Sequence, residues 1–375
     1  MNTFYNIAPN GHRFSFPGEI LYNFIKYNYD NELKLETITD TGNDFSKYNI
    51  NDETDYVYYN YNYKDNKLSN HITGRDNKFT KYTDKSYQYK KFSKVYFPGE
   101  WCDSSTFLTT LRRWFNKYDE LYITMNYGYS GLFSYIIKKT DSKIIKDIFS
   151  NLVNDKINLK AKISRRINKD KIDFSQNIIL FKDGYLHLDN SGMFIHNDVN
   201  SYGNYFPIKF TIEQKQKINK IVAYIANQLV DEGVLGVVGF DMMMDGEDIY
   251  VSEMNPNKTL SNIIFSLISL RTFKIPIPVL EYFACSGESI NNLKDKYLLQ
   301  HTENDNYYCH LKYVTDYKNI DNIIEYKLVN NRSNILDIIM KNCDKKKNTD
   351  IYYYDTFNNK RIVINLRIDI EGLDK

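Results

Sequence analysis

Asp241, Glu253 and Asn255 have side-chain types and a spacing that could do chemistry together. They lie in the stretch Gly233 to Leu260, GVLGVVGFDMMMDGEDIYVSEMNPNKTL. Leu235 to Met244 is apolar apart from Asp241, and Ile249 to Met254 alternates around Glu253, so each run reads as a strand. Between them, Asp245-Gly246 tolerates the positive φ of a tight hairpin turn. Pairing the strands brings Asp241 near Glu253 and Asn255 at one end of the hairpin. Two carboxylates and a carboxamide are hard oxygen donors, suited to Mg²⁺ bridging nucleotide phosphates and not to a thiophilic metal. A buried hairpin whose acids only cap its ends is the competing reading. The adjoining Asn255-Pro256 tips the balance towards the metal.

A second feature lies upstream. Asp119 to Met125 reads as a strand, Asn126 to Gly131 (NYGYSG) as a glycine turn, and Leu132 to Ile137 as another apolar strand. In Gly128, Tyr129, Ser130 and Gly131 the glycines permit close backbone approach, and free N–H groups can cradle phosphate oxygens. This is strand, loop, strand. It differs from a P-loop, which ends in Gly-Lys-Ser/Thr and opens a helix.

Gly-x-x-Gly-x-Asp, a short hairpin and Glu-x-Asn-Pro together resemble the metal-binding end of ATP-grasp ligases. In that family an Asp and the Glu-x-Asn pair hold two Mg²⁺ ions against the ATP phosphates. The resemblance therefore implies those roles for Asp241, Glu253 and Asn255, with ATP and Mg²⁺ as cofactors. It also implies that Gly128 to Gly131 covers the phosphates. Relatives usually carry a lysine on the strand before this loop, and Tyr122 to Asn126 has none. Lys138 and Lys139 follow the loop on the other strand. Lys94 and the run Lys160 to Arg166 (KAKISRR) are the nearest other positive charges in chain order. Lys160 or Lys162 is the expected substitute, although a solvated basic strand is the default reading of either one. Many relatives continue Asn-Pro-Arg, where this chain has Asn255-Pro256-Asn257-Lys258. Lys258 and Arg165 are the candidates for substrate contact.

The elements that must position these residues are legible from periodicity. Ser104 or Ser105 caps a helix to Lys117. Thr140 or Asp141 caps a second, with Ile144, Ile145, Ile148, Phe149 and Leu152 on one face. Ile157 to Ile167 reads as a strand with basic residues outside Leu159, Ala161 and Ile163. Gln176 to Ile195 is a hairpin turning at Asp183-Gly184. Thr211 and Gln214 form a capping box for a helix with the stripe Ile218, Ile221, Val222, Ile225 and Leu229, and Gly233 closes it. Ser261 to Phe273 reads as a further helix, and another starts at Pro278. Pro17 to Tyr29 is helical, and Tyr56 to Tyr63 alternates as an exposed strand or loop. Tyr307 to Val314 and Arg361 to Ile370 are strand-like.

Composition narrows the classes. A net charge of +2 gives no polyanion signature, so nucleic acid is not an expected partner. No apolar run is long enough to span a membrane, and no signal peptide opens the chain. Four cysteines without CxxC spacing, Cys102, Cys285, Cys309 and Cys343, suit a reducing cytosol, and the six histidines join no zinc motif. The 34 Tyr and 22 Phe accompany abundant Asn, Ile and Lys, which points to AT-rich coding and not to a stacking surface.

These readings combine into an α/β (α+β lobes) chain: an ATP-grasp fold of two subdomains clasping ATP, with an N-terminal α/β domain and a C-terminal extension. The expected divisions are 1–100 for the acceptor side, 101–153 for the subdomain with the glycine loop, 154–286 for the subdomain with the metal site, and 287–375 for the extension. The resemblance implies a cytoplasmic ligase that activates a carboxylate as an acylphosphate and joins it to an amine. Its partners would be small-molecule or peptide carboxylates and amines, and a homodimer is compatible with the class. Acyl transfer to a carrier-protein thiol, an ATP-grasp kinase and a catalytically dead nucleotide-binding scaffold are the alternatives.

Overall fold

The computed structural model describes residues 2–7, 15–29, 31–38, 56–59, 81–128, 133–154, 158–167, 171–196, 200–206, 208–255, 277–297, 308–313, 351–355 and 363–366. The chain opens with β1 (Thr3–Ile7), α1 (Ser15–Asn28), β2 (Lys34–Ile38) and β3 (Tyr56–Tyr59). β1 pairs in parallel with both β2 and β3, giving the order β2-β1-β3. Parallel neighbours need a crossover, and α1 supplies one between β1 and β2. The first four residues of the alternating tract, Tyr56–Tyr59, thus enter a sheet, and the rest of it lies outside the described residues.

The next elements are α2 (Lys85–Phe92), β4 (Glu100–Cys102), α3 (Phe107–Phe115), β5 (Glu120–Met125), β6 (Ser134–Lys138), α4 (Ser142–Asn154) and β7 (Ala161–Arg165). Their strands form an antiparallel sheet of order β4-β7-β5-β6. On β5, Leu121, Ile123 and Met125 enter a core with Phe107 and Leu111 of α3 and Ile148 and Leu152 of α4. Period-2 alternation turns Tyr122 and Thr124 to the opposite face. Ile144, expected on the apolar stripe of α4, is exposed at its margin. The N-cap position of α3 is Thr106, whose side chain makes no capping bond, and neither Ser104 nor Ser105; Asp103 instead organises the turn leading into the helix. Its Oδ1 accepts from the Ser105 and Thr106 N–H groups, each at 3.0 Å, just before the first helical residue, Phe107.

The remaining elements are β8 (Ile172–Phe181), β9 (Gly184–His196), β10 (Asn200–Phe206), α5 (Ile212–Asp231), β11 (Gly236–Asp245), β12 (Asp248–Asn255), α6 (Ile277–Cys285), α7 (Ile290–Tyr297), β13 (Tyr308–Tyr313), β14 (Ile351–Asp355) and β15 (Val363–Leu366). They include an eight-stranded sheet of order β12-β11-β8-β9-β10-β13-β14-β15. The two strand-like runs of the tail therefore extend this sheet as β13 and β15. The helix expected at Ser261 to Phe273 lies outside the described residues.

Both expected caps of α5 are present. Thr211 and Gln214 form the reciprocal capping box, and Gly233, at φ 69°, donates its N–H to Val230 O at 2.8 Å. Ile218, Val222, Ile225 and Leu229 of α5 pack on Ile178, Val238 and Phe240 of the large sheet. Tyr82, Phe92 and Tyr96 join the same core. Residues 81–97, placed before the first division by sequence, thus pack with β11 and β12. On the other side, Phe4, Leu21 and Ile25 meet Ile179, Val237 and Leu280 in a second core, which docks the N-terminal sheet.

Candidate functional site

β11 and β12 form the expected hairpin, with Asp241 directly opposite Glu253 and Gly239 opposite Asn255. Its turn falls one place later than expected. Asp245 pairs with Asp248, and Gly246-Glu247 are the two loop residues, with only Gly246 at positive φ (65°), the type II′ pattern. The pairing register shifts between Asp241 and Met242, so Ser252 is the extra residue of a bulge. Its hydroxyl donates to Asp241 O at 2.8 Å, which ties the bulge down beside the acids.

The three expected metal ligands converge. Asp241 Oδ1 accepts from Ser175 Oγ, and Oδ2 accepts from Asn255 Nδ2, both at 2.9 Å. Burial, reinforced by the neighbouring Glu253 charge, pushes the Asp241 carboxyl up to about 6. Its hydrogen bonds and Lys85 act the other way without cancelling this. Glu253 forms a 3.0 Å ion pair with Lys85 Nζ. Burial works to lower the Lys85 ammonium, but the charge of Glu253 and its hydrogen bond prevail and raise it above the ordinary lysine value.

Lys85 is the residue that sequence reading missed. It opens α2 immediately after the N-cap Asp84, whose carboxylate accepts from Ser86 N and Tyr87 N. An Asp-Lys pair at a helix start was the available signal, but nothing local tied it to Glu253. Lys85→Met leaves two facing carboxylates without their counter-charge. The expected loss is roughly 1–3 kcal/mol at pH 7, below the full value for a buried pair because Glu253 is partly exposed. The deficit should shrink between pH 7 and 5, where protonation relieves the repulsion, and denaturant melts across that range measure it.

Among the described residues no group of three or more His, Cys, Asp or Glu is placed to hold a metal ion. Two carboxylates and one carboxamide are an incomplete shell for Mg²⁺, which takes six oxygens, usually including waters and substrate phosphates. The donor set still fits such an ion. All its donors are hard, they are adjacent, and the acid pair is under-compensated by one lysine.

The small sheet turns a polar face towards this hairpin. Across it run Trp101, Lys162, Thr124 and Ser134 as successive cross-strand neighbours. Tyr122, on the same face, feels the charges of Lys85 and Glu253. Thr124 is the residue directly opposite Lys162, on a strand without lysine. Contrary to the solvated reading, Lys162 is only 6% exposed. Its Nζ donates to Phe97 O and lies 4.6 Å from the Tyr89 ring centroid, and burial pushes its ammonium down to about 7. Lys160 sits just before β7, where its N–H donates to Asn126 Oδ1 at 2.9 Å. Asn126 O in turn accepts from Lys85 N at 3.0 Å, so the start of the glycine loop is tied to both lysine segments. Gly128 has a φ of 152°. Tyr129, Ser130, Gly131 and Lys258 lie outside the described residues. Arg165 pairs with Asp245 at 2.6 Å and stacks its guanidinium 5.2 Å from the Phe97 ring centroid, at the turn end of the hairpin.

A four-stranded sheet bearing the glycine turn and a large sheet edged by the carboxylate hairpin define a class: the chain has the ATP-grasp fold. It is similar to the N5-carboxyaminoimidazole synthetase of Staphylococcus aureus, with TM-score 0.54, 13% identity, and 76% of this chain and 77% of that one covered. Phosphoribosylamine–glycine ligase of Thermotoga maritima gives TM-score 0.53 at 12% identity, with 82% and 78% covered. The biotin carboxylase domain of Hydrogenobacter thermophilus 2-oxoglutarate carboxylase, described as a dimer in complex with MgADP, ADP and bicarbonate, gives 0.55 at 11% identity, with 82% and 73% covered. At these identities the likeness is one of fold. No protein-family model matches the chain, and no curated protein matches it significantly. Among the described residues no helix is long and apolar enough to cross a membrane.

Proposed function

We propose that this chain is an ATP- and Mg²⁺-dependent ligase that activates a carboxylate as an acylphosphate and joins it to an amine. The observation that carries the reading is the convergence of Asp241, Glu253 and Asn255 on one hairpin, with Lys85 of α2 paired to Glu253. Asp241, Glu253 and the Asn255 carbonyl oxygen would hold the metal, since the Asn255 amide nitrogen is already committed to Asp241. Mg²⁺, when bound, neutralises charge on the phosphates and on the group in transfer. Lys85, beside Glu253, would offer its remaining donors to phosphate oxygens. Lys162, next to β5 on β7, or Lys160 just before it, would take the place of the lysine missing from β5.

Gly128, Tyr129, Ser130 and Gly131 close over the phosphates and exclude water, which would otherwise hydrolyse an acylphosphate. Lys258, and Arg165 after release from Asp245, meet the anionic groups of the acid or acceptor. The nucleotide-binding part begins at about residue 81 in this reading, because α2 supplies Lys85. The MgADP complex of the Hydrogenobacter enzyme and the ligase named for Thermotoga support the cofactor and reaction class.

The test is chemical. The full chain is incubated with Mg-ATP, pools of carboxylic acids and hydroxylamine, which intercepts an acylphosphate as a hydroxamate. A hydroxamate formed with equimolar ADP and phosphate supports the ligase. AMP and pyrophosphate would indicate an adenylate and overturn it. A phosphorylated product without hydroxamate would indicate a kinase, and nucleotide binding without turnover on any pool a scaffold.

A further inference from the structure

Met254 lies between Glu253 and Asn255 on β12, the edge strand of the large sheet. Its outward N–H and C=O face no neighbouring strand, and unpaired edge groups need partners when buried. Further back the edge is covered by main chain: Val251 N donates to Val95 O at 2.9 Å, and Phe97 N donates to Val251 O at 3.0 Å. At Met254 a side chain takes over. Gln88 Oε1 accepts from Met254 N at 2.9 Å, and Nε2 donates to Met254 O at 2.7 Å. One carboxamide thereby reproduces the double exchange of an antiparallel residue pair.

The remaining capacity of the carboxamide is also filled. Tyr96 Oη donates to Oε1 at 3.0 Å, and Nε2 donates to Tyr82 O at 2.5 Å. A carboxamide has two N–H donors and two acceptor lone pairs, so none is left over. Gln88 is 1% exposed. A side chain held at four points cannot swing, and it can hold the main chain it grips. Gln88 stands three residues after Lys85 on α2, hence on the same face. One turn of helix thus grips the Glu253 carboxylate with Lys85 and the adjoining peptide groups with Gln88. The bulge at Ser252 precedes this point, where a strand bends and its pairing weakens.

We propose that Gln88 is a positioning residue for the metal-binding acids: by pairing with the Met254 main chain it keeps Glu253 and Asn255 turned to the same side as Asp241. The inference rests on the metal reading above. Gln88→Met keeps the chain length and removes every hydrogen bond. Mn²⁺ affinity of the full chain in the presence of ADP, read from the free Mn²⁺ paramagnetic resonance signal, should fall at least tenfold. ADP affinity without metal should change less than twofold, a split that a general loosening of the core would not produce. Tyr96→Phe leaves the Met254 pair intact and should keep Mn²⁺ affinity within twofold.

Glu253→Gln separates the two ideas. If it weakens Mn²⁺ binding while Gln88→Met stays within twofold of the unaltered protein, the positioning role is wrong and the metal site stands. If Glu253→Gln also binds normally, the metal reading fails and takes this inference with it. Should Gln88→Met not fold, hydrogen exchange of the unaltered chain decides. A Met254 amide among the slowest of β12 upholds the clamp, and exchange at the rate of an open strand edge overturns it.

Discussion

Glu253→Gln is expected to lower ATP turnover by roughly 10²- to 10⁴-fold, since a metal ligand's share of transition-state charge stabilisation is worth several kcal/mol. Stability should hardly move. In the unaltered site one ammonium, Lys85, faces the two carboxylates of Glu253 and Asp241. Removing one acid leaves one of each sign, so the repulsion that helps raise Asp241 disappears and Lys85 keeps a partner. Asp241 should then titrate below its present value of about 6. Steady-state phosphate release, a thermal melt and the carboxyl resonance of Asp241 report these three effects separately. A variant that melts like the parent and retains full turnover would show that the acids serve the hairpin alone.

Lys162 carries the second large effect, and it concerns pH. Burial lowers its ammonium from the ordinary 10.5 to about 7. The unfolded chain therefore binds one more proton than the folded chain between those limits, and stability rises with pH across that window by up to about 1.4 kcal/mol per unit. Below pH 7 both states hold the proton and the penalty is fully present. Lys162→Met removes the charge at the cost of the hydrogen bond to Phe97 O. The variant should be more stable by roughly 3 kcal/mol at pH 6, and this advantage should fade towards pH 10.

The comparison must be made as a difference between the two proteins. Cys102, pushed up to about 12 by burial, makes an opposing contribution in the alkaline range. Urea melts at intervals of one pH unit are sufficient. Equal stability of the two proteins at pH 6 would mean that the ammonium is better solvated than its surroundings imply. If Lys162 meets phosphate as proposed, saturating ATP should restore its charge and flatten the wild-type slope. A slope unchanged by ATP would assign that contact elsewhere, with Lys160 the remaining candidate of the two.

The hairpin that carries Asp241, Glu253 and Asn255 is legible from residues alone because its ends lie close in sequence. Asp241 and Asn255 are 14 positions apart, so one tight turn brings them close, while the bulge at Ser252 decides that Glu253 is the residue opposite Asp241. The caps of α5 are local in the same way: Thr211, Gln214 and Gly233 act within a turn or two of the helix they close. Lys85 and Gln88 are different. Gln88 lies 166 positions from Met254, and nothing in the sequence around α2 says which strand edge it will cover.

Lys162 shows the same boundary from the other side. Alternation along Lys160 to Arg166 separates two faces but cannot say whether both are covered. It is the docking of residues 81–97 against β12 that lays Tyr89 and Phe97 over the lysine and buries its charge. Backbone periodicity and caps are short-range consequences of dihedral and hydrogen-bond geometry, so the hairpin and its three polar residues were readable in the chain, whereas the bulge that sets Asp241 opposite Glu253 was not. Burial, counter-charge and edge cover depend on contacts closed over long loops. They are properties of the packed molecule: they set Lys85 and Gln88 against the acid-bearing strand and bury Lys162 under Tyr89 and Phe97.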